Sequence, residues 1–147
     1  MSKAVMTHVF HLSLGPVQGF IAEGRRTRDV WSGSFLLSWL SAHAIVAAQE
    51  QGARITLPVV EDSEFVAAVS GRRKSSPIIS DPVLSRRLWT GSIPNYFRAE
   101  TDDGFRPEAC VDALNVVWVH LCEAVWREFL DVEPGRAAAR EVWDRQI

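Results

Sequence analysis

Cysteine is scarce in this sequence, and its scarcity excludes two kinds of site. The 147 residues include two cysteines, Cys110 and Cys122, and both lie in one predicted helix. Twelve residues of helix span about 18 Å, which is beyond the reach of a disulfide bond. No further ligand is spaced to complete a zinc site, so we predict no bound metal. Free, buried thiols are typical of a protein in the reducing cytoplasm, where we expect this chain to be.

A strong charge of either sign is also lacking. Sixteen basic and eighteen acidic residues leave a net charge of −2, so the whole chain exerts no general attraction on nucleic acid or acidic lipid. Any anion site must come from a local patch. Hydrophobic residues make up 47% of the chain and include six tryptophans and seven phenylalanines, which is enough to form the core of one domain.

One uncharged stretch could be either a transmembrane helix or a buried helix of a soluble protein. Residues 30–49 contain no charged side chain and follow the basic segment 25–28. Their length would suit a transmembrane helix. They also include four serines, a histidine and a glutamine, which favours a buried helix of a soluble protein. We therefore predict no membrane partner, and a membrane-anchored protein is the alternative.

Apolar periodicity and turn residues predict three strands and five helices. The strands cover residues 8–14, 54–60 and 95–101. The helices cover residues 17–24, 29–51, 63–69, 107–130 and the stretch from 136 to about 147.

Residues with strong positional preferences place the helix ends. We predict Gly15 as the N-cap and Pro16 as the first residue of the first helix. Asp29 is the expected N-cap of the second helix, and Gly52 its C′ residue. This second helix has an expected core stripe, with Ser34, Ser38 and Ser41 on the other side. The expected stripe consists of Trp31, Phe35, Leu36, Trp39, Leu40 and Ile45.

The order of elements predicts an α+β fold. It is βαββα with extra helices, close to a ferredoxin-like arrangement that lacks its final strand. Residues 1–60 hold strand, helix pair and strand, 61–93 a loop-rich insertion, and 94–147 a strand and the C-terminal helices. The absent strand would lie beside the first one, so we expect the domain to be partial or dependent on a partner.

The junction between the first strand and the first helix is the first candidate site. Free amides at a helix N-terminus bind phosphate, and Gly15 would allow a close approach to the backbone. The same Gly-Pro pair also occurs in turns for conformational reasons alone.

The start of the second helix is the next candidate. Arg25 and Arg28 could pair with phosphates, and the Ser32-Gly33-Ser34 run is small enough for a flat base to rest against it. Solvated arginines and tight helix packing at Gly33 would explain the same residues.

Taken together, these segments resemble a known family. The runs 15–21, 25–29 and 31–38 resemble the first palm domain of the large subunit of type III-B CRISPR effector complexes. The run 92–97 is similar to that family's small-Leu-Pro-Asn-Arg-Phe segment, with Tyr96 in the place of the arginine. The end of the chain, 142–147, resembles the segment that leads into the next palm strand.

The resemblance implies a nucleotide site and a set of partners. In this family ATP lies between two palm domains, which make cyclic oligoadenylates when the guide RNA finds its target RNA. The implied partners are other effector subunits, the guide and target RNAs, and the remainder of the large subunit. The resemblance implies that five residues line the phosphate-facing junction: Gly15, Pro16, Val17, Gln18 and Phe20. It implies that four others lie near the nucleotide: Arg25, Arg28, Ser32 and Ser34.

Several family features are absent from this sequence. It has no Gly-Gly-Asp-Asp hairpin, which binds divalent metal in the family's second palm, and no His-Asp nuclease motif. Catalysis and metal would therefore come from the second palm, and whether this chain is itself an enzyme stays open. Asp102 and Asp103 are expected to form a turn. A non-catalytic scaffold that docks other subunits and guide RNA is the alternative function.

A basic loop is the last candidate. Arg72, Arg73 and Lys74 could contact RNA phosphates, although no aromatic residues alternate with them. A solvated loop explains the same residues.

Overall fold

The computed structural model describes residues 8–71, 91–130 and 136–145. Within these ranges the predicted α+β fold is confirmed as a small sheet with five helices. The strands are β1 (His8–Ser13), β2 (Arg54–Leu57) and β3 (Tyr96–Thr101). The helices are α1 (Val17–Ala22), α2 (Thr27–Glu50), α3 (Glu64–Val69), α4 (Pro107–Val125), which continues as a π-helical turn over Trp126–Leu130, and α5 (Arg136–Asp144).

The three strands form one antiparallel sheet in the order β1-β3-β2. The third strand in the chain thus lies between the first two, and pairs with β1 from His8 opposite Thr101 to Ser13 opposite Tyr96. Within the described ranges no strand lies on the other edge of β1. That edge is where the predicted additional strand would pair.

Side-chain alternation along β3 determines which face of the sheet meets the core. Phe97 and Ala99 are fully buried, whereas Tyr96 and Arg98 are exposed, as the period of two in a strand requires. The buried face of the sheet packs against α2, and α3 and α4 pack in turn on α2. The buried apolar cluster consists of Ala42, Ala44, Ile45, Val46, Ala48, Ala53, Ile55, Val60, Phe65, Val66, Ile93, Phe97, Ala99 and Cys110.

Helix α2 corrects the predicted core stripe. Trp31 is 46% exposed, while Ser38 and Ser41, expected on the polar side, are buried. The reason is close packing, because the backbone at Gly91 approaches so near that an added Cβ would lie 2.7 Å from the Ser38 Oγ atom. The small Ser38 side chain permits this approach, so its burial reflects its size, while Ile45 of the predicted stripe is fully buried as expected.

The predicted N-terminal caps are both wrong by position. Pro16 is the N-cap of α1, with extended backbone, so Gly15 lies one residue outside it. Helix α2 begins at Thr27 with Arg26 as its N-cap, and Asp29 is three residues into the helix. The Asp29 carboxylate accepts the Arg26 backbone N–H at 3.0 Å, so it stabilises the helix start from within the first turn.

The C-terminal end of α2 matches its prediction. Gly52 has φ of +85°, a left-handed conformation that glycine adopts without a steric penalty. Its N–H donates to the Gln49 carbonyl, and the Ala53 N–H donates to the Ala48 carbonyl. This pair of bonds closes the helix in a Schellman motif and turns the chain into β2.

The loop-rich insertion is partly built into the core. Ser63 caps α3 by accepting the Val66 N–H at 3.3 Å, and Phe65 and Val66 are buried. Arg72, Arg73 and Lys74 lie outside the described residues.

Two described helices, Thr27–Glu50 and Pro107–Leu130, are long and apolar enough to cross a membrane by length and composition. In α2 the segment 38–48 contains all of its buried residues, among them the fully buried Ala42, Ala44 and Ile45. This packing favours the predicted buried helix.

Candidate functional site

The bend between β1 and α1 is fixed from the strand side. The Leu14 N–H donates to the Asn95 carbonyl at 2.7 Å, and the Asn95 side-chain amide donates to the Leu14 carbonyl at 2.8 Å. These two bonds extend the β1–β3 pairing by one residue. They hold the chain in place immediately before Gly15 and Pro16.

Backbone amides follow this bend. The first hydrogen bond of α1 runs from the Phe20 N–H to the Pro16 carbonyl at 3.2 Å. The N–H groups of Val17, Gln18 and Gly19 precede it and therefore have no acceptor within the helix. With six residues, α1 is short. Its contribution to binding an anion would come from these local N–H groups more than from a long helix dipole.

A cavity of about 330 Å³, here called the serine cavity, opens beside these amides. Val17 and Ile21 of α1 form one wall, Ser34, Leu37 and Ser38 of α2 form another, and the segment 91–95 closes it. Backbone groups, three serines (Ser34, Ser38 and Ser92) and Asn95 supply its polar groups. Such a mixture suits a ligand with both polar and apolar parts.

The segment 91–95 is attached firmly to α2. The buried Ser38 hydroxyl donates to the Ile93 carbonyl at 2.6 Å. At Gly91 an added Cβ would lie 3.1 Å from the Ser34 carbonyl oxygen as well as against Ser38. A hydrogen bond and close backbone packing therefore fix one wall of the serine cavity.

A second cavity of about 270 Å³, the apolar cavity, lies on the other side of the bend. Gly15, Pro16 and Phe20 contribute to it, and the remaining walls are Leu14, Leu36, Leu37, Leu40 and Trp118. These walls offer no side-chain charge. The cavity is therefore suited to an apolar group and not to a phosphate.

A third and wider cavity, of about 550 Å³, shares Ser92 and Ile93 with the serine cavity. Asp62 and Glu64 line it, and the Glu64 Oε2 atom is buried with no hydrogen-bond partner. Two carboxylates make this side unfavourable for a phosphate. A nucleotide in the serine cavity would therefore be expected to direct its phosphates toward α1.

The structure divides the nine predicted nucleotide residues into three sets. Val17 and Ser34 line the serine cavity. Gly15, Pro16 and Phe20 line the apolar cavity. The remaining four line none of these three cavities, and all are exposed: Gln18, Arg25, Arg28 and Ser32.

Ser32 and Arg28, which line none of the cavities, each form a local contact. The Ser32 hydroxyl donates to the Arg28 carbonyl at 2.8 Å, one turn earlier in the same helix. The Arg28 guanidinium lies 3.8 Å from the neighbouring Asp29 carboxylate, and the two side chains are 76% and 42% exposed. An exposed pair of this kind stabilises little, so Arg28 can exchange it for another anion.

Gly33 brings the two helices together. A Cβ at this position would lie 3.2 Å from the Phe20 ring, so α1 packs closely on α2 there. Tight helix packing therefore explains the glycine of the Ser-Gly-Ser run. A nucleotide contact at Ser34 stays a prediction.

Asp102 and Asp103 lie in the turn after β3 that the sequence predicts. The Asp102 carboxylate accepts the Gly104 N–H at 3.0 Å, which forms the predicted turn after β3. The Asp103 Oδ1 atom lies 2.9 Å from the His8 Nε2 atom, at the end of the sheet opposite the Gly15 bend. In the described part of the chain, no group of three or more histidine, cysteine, aspartate or glutamate side chains could hold a metal ion.

Both cysteines are buried free thiols, as predicted. Burial raises the pKa of Cys110, and burial together with the charge of Glu123 raises the pKa of Cys122. Since the thiolate is the reactive form, neither cysteine is poised as a nucleophile.

Ser38 and Asn95 are the site residues that sequence reasoning does not identify. The sequence pattern places Ser38 on the polar outer side of α2, and Asn95 at the start of a strand. The signal for Asn95 is its place before β3, where a side-chain amide can extend strand pairing across the end of the sheet. Ser38 gives no such signal, because its partner is 55 residues away.

Comparison with known proteins identifies the family. The family described as CRISPR-associated protein Cmr2, N-terminal, matches residues 9–129. No curated protein and no solved structure matches the chain. The matched residues include β1 from Val9 onward, the Gly15 bend, α1, α2, β3 and α4. The chain therefore belongs to the Cmr2 N-terminal family and corresponds to the amino-terminal region of the large subunit of a type III-B CRISPR effector complex.

Proposed function

We propose that this chain is the ATP-binding half of a cyclase-like palm in a type III-B effector complex. Its family places it in the large subunit of an RNA-guided defence complex. The observation that carries the proposal is the serine cavity, where Val17 at the start of α1, Ser34 of α2 and the segment 91–95 meet. We propose that ATP binds there, with its phosphates toward Val17 and Gln18.

The sheet supports the palm part of the proposal. In a split βαβ arrangement the third strand lies between the first two and runs antiparallel to both, as β3 does here. The unpaired edge of β1 is the place for a fourth strand, supplied by the remainder of the large subunit. We therefore propose a ferredoxin-like palm that is completed by pairing at this edge.

The chemistry of the site supports a division of labour. Phosphoryl transfer between nucleotides requires carboxylates that hold divalent metal. Asp102 and Asp103 are engaged at the opposite end of the sheet. We propose that a second palm supplies the metal and the catalytic groups for cyclic oligoadenylate synthesis once target RNA is bound. This chain then contributes nucleotide binding and no catalytic residue, and alone makes no product.

A pair of matched variants tests the nucleotide site. Ser34→Trp places an indole in the serine cavity, whereas Ser32→Trp adds the same volume to the exposed side of the same helix. ATP is titrated into the reconstituted effector complex carrying each variant. We expect Ser34→Trp to weaken ATP binding at least ten-fold, because the indole would occupy space that ATP needs. A ten-fold loss of affinity corresponds to about 1.4 kcal/mol of binding free energy. Ser32→Trp should bind ATP like the wild type.

An interaction role is the second candidate function. Val111, Val116 and Val119 on α4 are each about half exposed, and Phe129 is 71% exposed. Apolar residues of this kind favour contact with other subunits. If the chain were only a scaffold, both tryptophan variants would leave ATP binding unchanged, while Val116→Asp would weaken assembly.

The proposed environment follows from the same role. We propose that the chain works in the cytoplasm, with guide RNA, target RNA and other type III-B subunits as its partners, and without a membrane. Contact of Arg72, Arg73 and Lys74 with RNA is part of this proposal, although these residues lie outside the described ranges.

A further inference from the structure

The sheet has an open face on the side away from the core. On this face the side chains alternate with the buried or partly buried residues of β1 and β3, and Val9 and His11 on β1 and Tyr96 and Arg98 on β3 are exposed. Tyr96, the single tyrosine of the chain, is 46% exposed. A half-exposed aromatic ring on a strand offers a flat apolar surface to solvent.

Strand register gathers four of these side chains into one patch, here called the tyrosine patch. Ser13 lies opposite Tyr96, and His11 lies opposite Arg98. Directly opposed residues have Cβ atoms about 5 Å apart, and residues two apart on one strand are separated by about 7 Å. The patch is therefore small enough for one or two nucleotides to cover it.

The charge of the patch is complementary to a phosphate. The Arg98 Nε atom donates to the Thr56 hydroxyl at 3.0 Å, which holds the side chain against the sheet. In the described ranges Arg98 forms no ion pair, whereas the nearby Glu100 carboxylate is paired with Arg54. In the described ranges the Arg98 guanidinium therefore has no counter-ion, and it lies two residues along β3 from the exposed Tyr96 ring.

We infer that the tyrosine patch binds single-stranded RNA. One base stacks on the Tyr96 ring, the Arg98 guanidinium pairs with an adjoining phosphate, and Ser13 and His11 can hydrogen-bond to a base edge or a 2′-hydroxyl. Sheets that present aromatic residues bind single-stranded RNA in this way. Apart from the ring, the patch is polar, which suits RNA better than the apolar core of a protein interface. The inference does not depend on the proposed ATP site, which lies beyond the strand ends, between α1, α2 and segment 91–95.

Fluorescence anisotropy with the purified chain and a labelled oligouridine tests this inference. Tyr96→Ala should weaken binding about ten-fold, because one base–aromatic stack contributes that much or more, and Tyr96→Phe should keep wild-type affinity. Arg98→Gln should weaken binding and reduce the salt slope by about 0.7, which corresponds to one phosphate of a single strand. Val119→Ala, on exposed α4, is the matched control and should change nothing.

Three results would overturn the inference. The first is the absence of oligouridine binding by the folded wild-type chain, or equal affinity for oligouridine and oligodeoxyuridine. The second is full binding by Tyr96→Ala and Arg98→Gln with unchanged circular dichroism. The third is displacement of oligouridine by ATP, which would make the patch part of the nucleotide site. If Tyr96→Ala fails to fold, the Arg98→Gln salt slope and ultraviolet cross-linking at Tyr96 decide whether RNA binds the patch.

Discussion

The two halves of α2 differ in burial, and the difference explains how one helix serves both fold and site. The C-terminal half, from Ser38 onward, contains every buried residue of the helix. In the N-terminal half, Val30 is 39% exposed and Trp31 46% exposed. The buried half fixes the helix in the core. The exposed half can therefore present Ser34 and the arginines that precede it in a fixed position without contributing much to stability.

The largest effect expected from this comparison is in the core. Ile45→Ala removes a fully buried side chain and should lower the free energy of unfolding by about 2–5 kcal/mol. Val30→Ala makes a similar deletion in the exposed half and should cost less than about 0.5 kcal/mol. Urea denaturation of both variants measures the difference. Equal losses would mean that both halves are packed alike.

The next effect is at the contact between α2 and segment 91–95. Gly91→Ala forces a Cβ to within 2.7 Å of the Ser38 Oγ atom, so we expect a loss of about 1–3 kcal/mol from overpacking. Gly104→Ala is the control, since its Cβ would meet the Asp102 carboxylate at 3.4 Å, an ordinary contact. The account would be contradicted if Gly91→Ala unfolded at the same urea concentration as the control.

A comparison of two serines sharpens the contrast between the halves. Ser38→Ala removes the 2.6 Å hydrogen bond to the buried Ile93 carbonyl, and an unsatisfied buried acceptor costs about 1–3 kcal/mol. Ser34→Ala, one turn earlier on an exposed residue, should leave stability nearly unchanged. Thermal unfolding checks both, and a stability loss at Ser34 instead of Ser38 would reverse the assignment of roles.

The smallest effect is a pH dependence in the buried half. Burial lowers the pKa of His43, so the folded state favours the neutral imidazole. The associated stability is fully present above the unfolded-state pKa of about 6.5 and is lost as the pH falls below it. His43→Gln should flatten the fall in urea midpoint between neutral and mildly acidic pH. The Ser34→Ala variant, which alters no titratable group, should retain the wild-type profile.

Much of the fold could be predicted from the sequence because local signals agreed. Gly52 has the predicted left-handed conformation, Pro107 begins α4, and the predicted order of strands and helices holds in the described residues. The N-caps were misplaced because proline and aspartate are favourable at several positions near a helix start. Their residue types alone do not select among those positions.

The candidate site was less predictable because its walls come from distant segments. The buried side of α2 is set by the approach of Gly91, which no pattern within the helix reveals. Of the predicted residues, Val17 and Ser34 lie together at one cavity, while Arg25 and Ser32 do not face it. The segment containing Asn95 completes the site through hydrogen bonds that span 81 residues of sequence.

Photolabelling of the assembled effector complex with azido-ATP tests the central claim most directly. The cross-linked peptides are mapped by mass spectrometry, with excess unlabelled ATP as the competition control. The account predicts competed label on peptides that contain Val17, Ser34 or segment 91–95, the three walls of the serine cavity. Competed label confined to other parts of the complex, with none on these peptides, would contradict it.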